Sequence, residues 1–491
     1  MTKAYGSYIN GEFVDTAEHF FVINPATGEV VAEVAQCGEA ELNAAVAAAK
    51  QAYPAWHALG PVGRAELLLK WADIMAARAA EIAELETAQT GKPIVMTESM
   101  DVPFSIDNIR FFAGAARVVP GLASAEYTPG HLSSIRREPM GVVGLISPWN
   151  YPMNMAAWKL GPSLAAGNTV VMKPASLTPL TTIEMARAAH EAGIPAGVLN
   201  VVTGPGRVVG EALVNHPDVR MISLTGDTAT GKRIMAQAAG TVKKLHLELG
   251  GKAPFVVFSD ADLDAAVQGA AVGAFVNSGQ DCTAATRVYV ERSVYEDFLD
   301  RMTARTARVK VGLPMDRETD MGSLISVEHR DRVAGFVERA RYAGAQVLVG
   351  GCAPSDPALA AGAYYLPTLI AGVAQDSEIV QQEVFGPVLV VLPFDTEDEA
   401  VALANDVVYG LASSVWTRDV FKANRVSGRI EAGTVWINDH ITIVSEMPHG
   451  GYKQSGFGKD MSAYALEDFT QIKHVMADVT GKVVKDWHFI Q

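Results

Sequence analysis

Cysteine is scarce. The 491 residues hold three, Cys37, Cys282 and Cys352. So few and so scattered, they build neither a disulfide framework nor a zinc-ligand spacing, and they suit a reducing compartment. There is no run of 18 or so uninterrupted apolar residues, so no membrane span is expected. No apolar h-region opens the chain, which leads directly into Ile9-Asn10-Gly11-Glu12-Phe13, so no secretory signal is expected and the protein is placed in the cytoplasm. Positive charge is also in short supply: 40 Lys and Arg against 55 Asp and Glu leave a formal charge of -15, which argues against a nucleic-acid partner. The eleven histidines include no His-Glu-x-x-His pair, so no metal is expected, and His440 and His449 read as loop residues. No repeat and no low-complexity tract occurs.

What is present is a globular composition, 49% hydrophobic, on a chain too long for one core. Two to three domains of α/β class follow. Asn10-Gly11 between apolar flanks predicts a hairpin over Tyr8 to Phe13. Helical spacing recurs over 39–55, 63–90 and 101–118, the second stopped by Gly91-Lys92-Pro93 and the third by Pro120-Gly121. From Val142 the pattern changes to strands at 142–146, 168–172, 198–202 and 221–224, with helices at 154–166, 181–192 and 208–216 between them. That alternation predicts βαβ units, a parallel sheet and a ligand beyond its carboxyl ends. A strand at 245–249 and an Ala-rich helix at 261–279 lead to Cys282. A second α/β unit follows, with strands at 288–290, 346–349, 364–369, 388–394, 412–417 and 434–438 and helices at 294–309, 328–343 and 396–405. Two extended stretches stand apart, 133–139 and the tail at 473–479 and 483–489. They suit an arm whose strands pair with each other.

The chemistry centres on Asn277-Ser278-Gly279-Gln280-Asp281-Cys282-Thr283-Ala284. Small, polar neighbours leave the Cys282 sulfur open to a substrate carbon, as a nucleophile needs, although a lone cysteine is as often a small core residue. Glu248, between Leu247 and Leu249 at a strand end, is costly to bury ionised, and a raised pKa would suit a general base; a solvent-facing edge position is the competing reading. Asn150 ends the first parallel strand and can donate its amide to an oxyanion. Lys173 is a cation at another strand end. Glu383 is a second acid in an apolar turn. The loops from Gly204 to Gly210 and from Gly226 to Gly231 open helices, where backbone N–H groups favour a phosphate. Neither matches Gly-x-Gly-x-x-Gly, and Asp227 would repel a pyrophosphate.

Together these residues resemble the NAD(P)-dependent aldehyde dehydrogenase superfamily over nearly the whole chain. The carriers are Pro148-Trp149-Asn150-Tyr151-Pro152, Lys173-Pro174, Leu224-Thr225-Gly226, Leu247-Glu248-Leu249-Gly250-Gly251-Lys252, Gly279-Gln280-x-Cys282 and Glu383-x-Phe385-Gly386-Pro387. Within it the sequence is most similar to the γ-aminobutyraldehyde dehydrogenases, through 111–117, 279–285 and 445–451. The resemblance implies a Rossmann-type coenzyme domain at 1–120 and 140–250, with 451–466 returning to it. It implies a catalytic domain at 251–450 and a small β oligomerisation arm at 121–139 and 467–491, in a homodimer or homotetramer.

It also implies roles. Cys282 attacks the aldehyde, Asn150 and the Cys282 N–H hold the oxyanion, and Glu248 activates the water that releases the acid. NAD or NADP would be held by Ile146, Trp149, Lys173, Ser176, Gly206, Gly210, Thr225, Gly226, Glu383 and Phe385. Ser176 stands where many NAD-preferring members carry glutamate, so NADP should be tolerated. A small ω-aminoaldehyde such as 4-aminobutanal is the expected substrate, with Asp101, Asp107, Asp281 and Trp158, with Tyr151, as candidate contacts; succinate semialdehyde, betaine aldehyde or another small aldehyde is the alternative. Transfer of the acyl group to coenzyme A is disfavoured by Glu248, and a fold kept without turnover by the intact Cys282, Glu248 and Asn150.

Overall fold

The computed structural model describes residues 3–118, 124–485 and 487–489. The expected helix stop at Pro120-Gly121 and part of the 121–139 arm lie outside the described residues.

Two large sheets carry the molecule. The first has eight strands, in the order Gly456–Phe457, Lys244–Glu248, Met221–Thr225, Val142–Ile146, Thr169–Lys173, Leu199–Val201, Ser7–Ile9 and Glu12–Val14. Its five inner strands are parallel. The strands at 169–173 and 199–201 are buried throughout, as strands covered on both faces by helices must be. The chain builds outward from Val142–Ile146 through the strands at 169 and 199. It then crosses back to place Met221–Thr225 on the other side. The crevice at that reversal opens beyond the carboxyl ends of 142–146 and 221–225.

The second sheet has seven strands, in the order Gln346–Val349, Thr368–Ala371, Val388–Phe394, Arg287–Glu291, Pro254–Val257, Ala412–Trp416 and Thr434–Ile437, parallel except for the first. A third sheet joins Ala125–Thr128, His131–Pro139 and Thr470–Asp478. Its two long strands pair antiparallel from Thr470↔Pro139 to Asp478↔His131. The pairing expected between the two isolated extended stretches is therefore present. No strand forms over 483–489 among the described residues.

Other differences are local. The helix expected over 63–90 is two, Gly60–Ala77 and Ala79–Thr90, because Arg78 leaves the helical region at φ -112, ψ 17. The helix that the Gly226–Gly231 loop was expected to open runs over Thr228–Ala238. Asp227 caps it, its carboxylate accepting from the Thr230 N–H at 2.9 Å and the Thr230 hydroxyl at 2.6 Å. That acid is a helix start, not a misplaced charge. The hairpin forms as expected, with Asn10 and Gly11 both at positive φ (52 and 86). No helix among the described residues is long and apolar enough to cross a membrane.

Candidate active site

One cavity of about 1220 Å³ takes in the crevice of the first sheet, the Cys282 segment and residues of 99–107 and 439–449. Pockets for one small ligand span roughly 300–1,000 Å³, so this one has room for two molecules end to end. Cys282 lies in its wall, half-buried.

Backbone geometry places the sulfur. The helix Leu263–Phe275 ends, and Asn277, Ser278 and Gly279 follow at φ 49, 55 and 69. Three successive left-handed residues turn the chain sharply toward the crevice. Gly279 must be glycine: a side chain there would run into the Gly386 carbonyl. The turn is then tied to the first sheet. Asn277 Nδ2 donates to the carbonyls of Asn150 (2.9 Å) and Gln280 (3.1 Å), and Asn150 Nδ2 donates to the Gln280 carbonyl at 3.0 Å. One N–H of the Asn150 amide remains for a ligand beside Cys282. Pro152 supplies the first helical residue after this loop, where its missing N–H costs nothing.

Charge surrounds the thiol. Burial pushes Cys282 well above the ordinary thiol range, and the carboxylates of Asp281, Glu248 and Glu383 add to it. Glu248 is not on an edge: its strand is paired on both sides, and the residue is 3% exposed. It does not contribute to the cavity lining. Its Oε1 has no hydrogen-bond partner among the described residues. It looks instead onto a buried ionic cluster invisible in the sequence, in which Lys159 Nζ lies 3.3 Å from Asp460 Oδ2 and 3.1 Å from Ser223 Oγ. Burial first, then Asp460, pushes the Glu248 carboxyl well above its usual range.

The end of the cavity over the first sheet carries Trp149, Lys173, Thr225, Gly226, Glu383 and Phe385. Lys173 Nζ donates to the Pro174 carbonyl at 2.8 Å, and burial lowers it to about 8. Glu383 accepts from the Gly251 N–H at 2.7 Å, and burial raises it to about 7. Phe385 sits at φ 59, with the His329 ring on its carbonyl at 2.6 Å and Trp149 edge-on at 5.3 Å. Ser147 Oγ and Thr225 Oγ1 are buried in this wall without hydrogen-bond partners among the described residues. Ile146, Ser176, Gly206 and Gly210 lie outside the lining. Ser176 Oγ donates to the Gly204 carbonyl at 2.9 Å, and Gly210 backs the Lys173 side chain.

At the other end stand Phe104, Asp107, Tyr151, Trp158, Asp281 and His449. The candidate acids differ. Asp101 is 1% exposed and paired with the buried Lys92 at 2.6 Å, so its charge is already answered. Asp281 accepts from Tyr151 Oη (2.7 Å) and from the N–H and hydroxyl of Thr283 (2.7 and 2.6 Å). Asp107 is exposed and accepts only from Ser445 Oγ, at 2.7 Å, among the described residues. Trp158 is buried edge-on to Phe104 at 6.1 Å, with its Nε1 unpartnered. No metal-holding group of His, Cys, Asp and Glu occurs among the described residues.

The model of the aldehyde dehydrogenase family matches residues 13–475. The chain is 44% identical over 472 residues to a betaine aldehyde dehydrogenase of Bacillus subtilis, covering 95% of this chain and 96% of that one. Among solved structures, the betaine aldehyde dehydrogenase of Staphylococcus aureus in complex with NAD+ superposes at TM-score 0.96 with 38% identity, over 98% of this chain and 96% of that one. The NAD+ complex of an aldehyde dehydrogenase from Bacillus cereus gives 0.95 and 40%, over 97% of each.

Proposed function

The chain belongs to the aldehyde dehydrogenase family, an enzyme of aldehyde oxidation, and from that premise we propose that it oxidises a small ω-aminoaldehyde such as 4-aminobutanal with NAD or NADP. The observation that carries the substrate is the charge at the end of the cavity beyond Cys282. Asp107 and Asp281 face it there, the buried Lys92 is spent on Asp101, and no arginine lines that end. A primary ammonium needs acceptors, and Asp107 has capacity to spare.

The donor set fits a nicotinamide coenzyme. The two orphaned hydroxyls Ser147 Oγ and Thr225 Oγ1, the Lys173 ammonium and the Glu383 carboxylate line one end of a cavity with room for it. Lys173 would hold the adenosine ribose, Glu383 the nicotinamide ribose, and Phe385 would pack near the ring. With no carboxylate at Ser176, a 2′-phosphate meets no repulsion there, so NADP is tolerated. The chemistry the coenzyme would supply is acceptance of a hydride from the carbon bonded to sulfur.

The remaining work belongs to side chains. Cys282 gives its proton to water in the open cavity, and the thiolate Sγ adds to the aldehyde carbon as the carbonyl π electrons move onto oxygen. The free Asn150 N–H and the Cys282 backbone N–H stabilise the resulting oxyanion. After oxidation a thioester remains on Cys282, and Glu248 takes a proton from the water that attacks it. For this the Glu248 side chain must swing from the Asp460 side toward the cavity, and its Oε1 has no hydrogen bond among the described residues to break as it moves. The sheet of 125–139 and 470–478 serves as the oligomerisation arm of a homodimer or homotetramer, and the eight-stranded and seven-stranded sheets mark the coenzyme and catalytic domains.

Betaine aldehyde is the second reading. The Bacillus subtilis relative favours it, and so do the rings of Tyr151, Trp158 and Phe104, because a quaternary ammonium binds aromatic faces and donates no hydrogen bond. Steady-state kcat/KM for 4-aminobutanal, betaine aldehyde and succinate semialdehyde, each with NAD and NADP, separates them. A lead for 4-aminobutanal that Asp107→Asn abolishes supports the proposal. A lead for betaine aldehyde transfers the assignment, and a lead for the anionic semialdehyde overturns the cationic reading. Cys282→Ala must lose aldehyde oxidation altogether.

A further inference from the structure

His246 lies on the strand Lys244–Glu248, two residues before Glu248, so alternation puts both side chains on one side of the strand. It is fully buried, and neither ring nitrogen has a hydrogen-bond partner among the described residues. Its Nε2 stands 3.4 Å from Asp460 Oδ1, an atom that also lacks a partner. Its Nδ1 stands 3.9 Å from Asp468 Oδ2. The Phe469 ring lies 5.9 Å away, and Gly458 leaves space against the imidazole. Nothing in this packing requires a polar ring. An apolar residue of similar size would avoid the desolvation of two nitrogens.

The charged groups around the ring settle its hydrogen. Lys159 comes from the helix Pro152–Ala166, Lys244 from its own strand, and Lys459, Asp460 and Asp468 from the segment after Gly456–Phe457; His449 faces Asp460 across a backbone bridge. Burial and then Lys159 push the ring down to about 3, so it is neutral and carries one hydrogen. Asp468 already accepts from the Lys459 N–H at 3.0 Å and is partly solvated. Asp460 Oδ1 accepts from nothing else. The hydrogen therefore belongs on Nε2, aimed at Asp460.

We infer that His246 is a positioning residue for the general base: its Nε2–H, 3.4 Å from Asp460 Oδ1 and short of a hydrogen bond in this geometry, sets the positive end of a dipole against that carboxyl, favours its ionised form and so biases the proton of the two buried acids toward Glu248. This rests on the reading of Glu248 as the base of thioester hydrolysis. His246 then sets the pH at which Glu248 becomes competent. Without the donor, Asp460 takes the proton more readily, its charge no longer opposes Glu248, and Glu248 ionises at lower pH.

The test is the pH dependence of kcat for the full-length enzyme, with saturating NAD and whichever of 4-aminobutanal and betaine aldehyde is turned over faster. In His246→Leu the acid limb moves down by about one pH unit. In His246→Gln, whose amide N–H lies near the place of Nε2, it stays close to wild type. His246→Asn, with the donor drawn back by one methylene, sides with leucine and serves if the leucine variant does not fold. An unmoved acid limb in the leucine or asparagine variant, or one shifted equally in the glutamine variant, overturns the inference. Glu248→Gln in parallel must abolish hydrolysis and leave a single burst of reduced coenzyme. If it does not, the reading of Glu248 fails separately.

Discussion

Lys173 gives the sharpest test of how the coenzyme end is built. Its ammonium is 5% exposed, and its only partner among the described residues is the Pro174 carbonyl at 2.8 Å. Burial takes it from 10.5 to about 8. The folded value lies below the unfolded one, so the unfolded chain binds more protons between them, and stability rises with pH across the window from about 8 to 10.5. That depression corresponds to about 3 kcal/mol against the charged form at pH 7, falling to about 1.5 kcal/mol at pH 9.5. Lys173→Met removes the charge and fills much of the volume with an adaptable apolar chain. The coenzyme-free variant is expected to melt a few degrees above wild type at pH 7, with a smaller gap at pH 9.5. The same variant should lose a charge-assisted contact to coenzyme hydroxyls, raising KM for NAD about tenfold or more at little cost in kcat. Melting followed by tryptophan fluorescence at both pH values, with steady-state kinetics, reads all three. A variant less stable than wild type at pH 7, a gap that does not shrink with pH, or an unchanged KM for NAD would refute the reasoning.

A methyl group at Gly251 would collide with the Cys282 carbonyl. Gly251→Ala should therefore displace the nucleophile and cut kcat/KM about 100-fold, while circular dichroism stays unchanged. Glu383 titrates near 7 in the free enzyme, and its ionised form accepts hydroxyl hydrogens more strongly. KM for NAD should thus fall as pH rises through 7, and Glu383→Gln should flatten that profile. Burial first, and then the acids around it, keep the Cys282 thiol protonated, so an unreactive organic cation such as 4-aminobutanol should offset the acids and speed alkylation of Cys282 by iodoacetamide at pH 7.5, and the isosteric neutral 1-pentanol should not.

Much of this was legible in sequence because strand ends in a parallel sheet are both the turn and the site. Gly, Pro, Asn and Lys clusters after 146, 173 and 225 marked the crevice before any side chain was placed. What escaped was set by contacts distant in sequence. Lys159 sits among Trp158 and Leu160 on an otherwise apolar helix, and Asp460 follows a glycine-rich turn. Neither announces that the two meet 3.3 Å apart under the base. Asp227 is the opposite case: its partner, Thr230, is local, and the loop already read as a helix start, with only the cap itself unassigned. Asp101 lines the cavity as well, and its pairing with Lys92 at 2.6 Å, from the end of a π-helical turn at Thr97–Asp101, is not something helical periodicity reveals.

The two buried clusters on either side of Cys282 share one design. Toward the substrate, Glu86 and Asp101 answer to one lysine, Lys92, which also lies 3.6 Å from the ring centre of Tyr151, the residue whose hydroxyl donates to Asp281. Toward hydrolysis, Glu248 and Asp460 answer to Lys159 and the more solvated Lys459. Each cluster carries at least as many acids as cations, and burial raises the carboxyls of Glu86, Asp101, Glu248 and Asp460. Burial and these acids favour the protonated forms of Cys282 and Glu248, and a bound charge shifts that balance. A cationic aldehyde supplies that change on the substrate side as it arrives, placing positive charge where the acids outnumber their partners. An anionic aldehyde would deepen the imbalance and keep the sulfur protonated. Substrate charge and nucleophile activation are thus one electrostatic problem in this cavity.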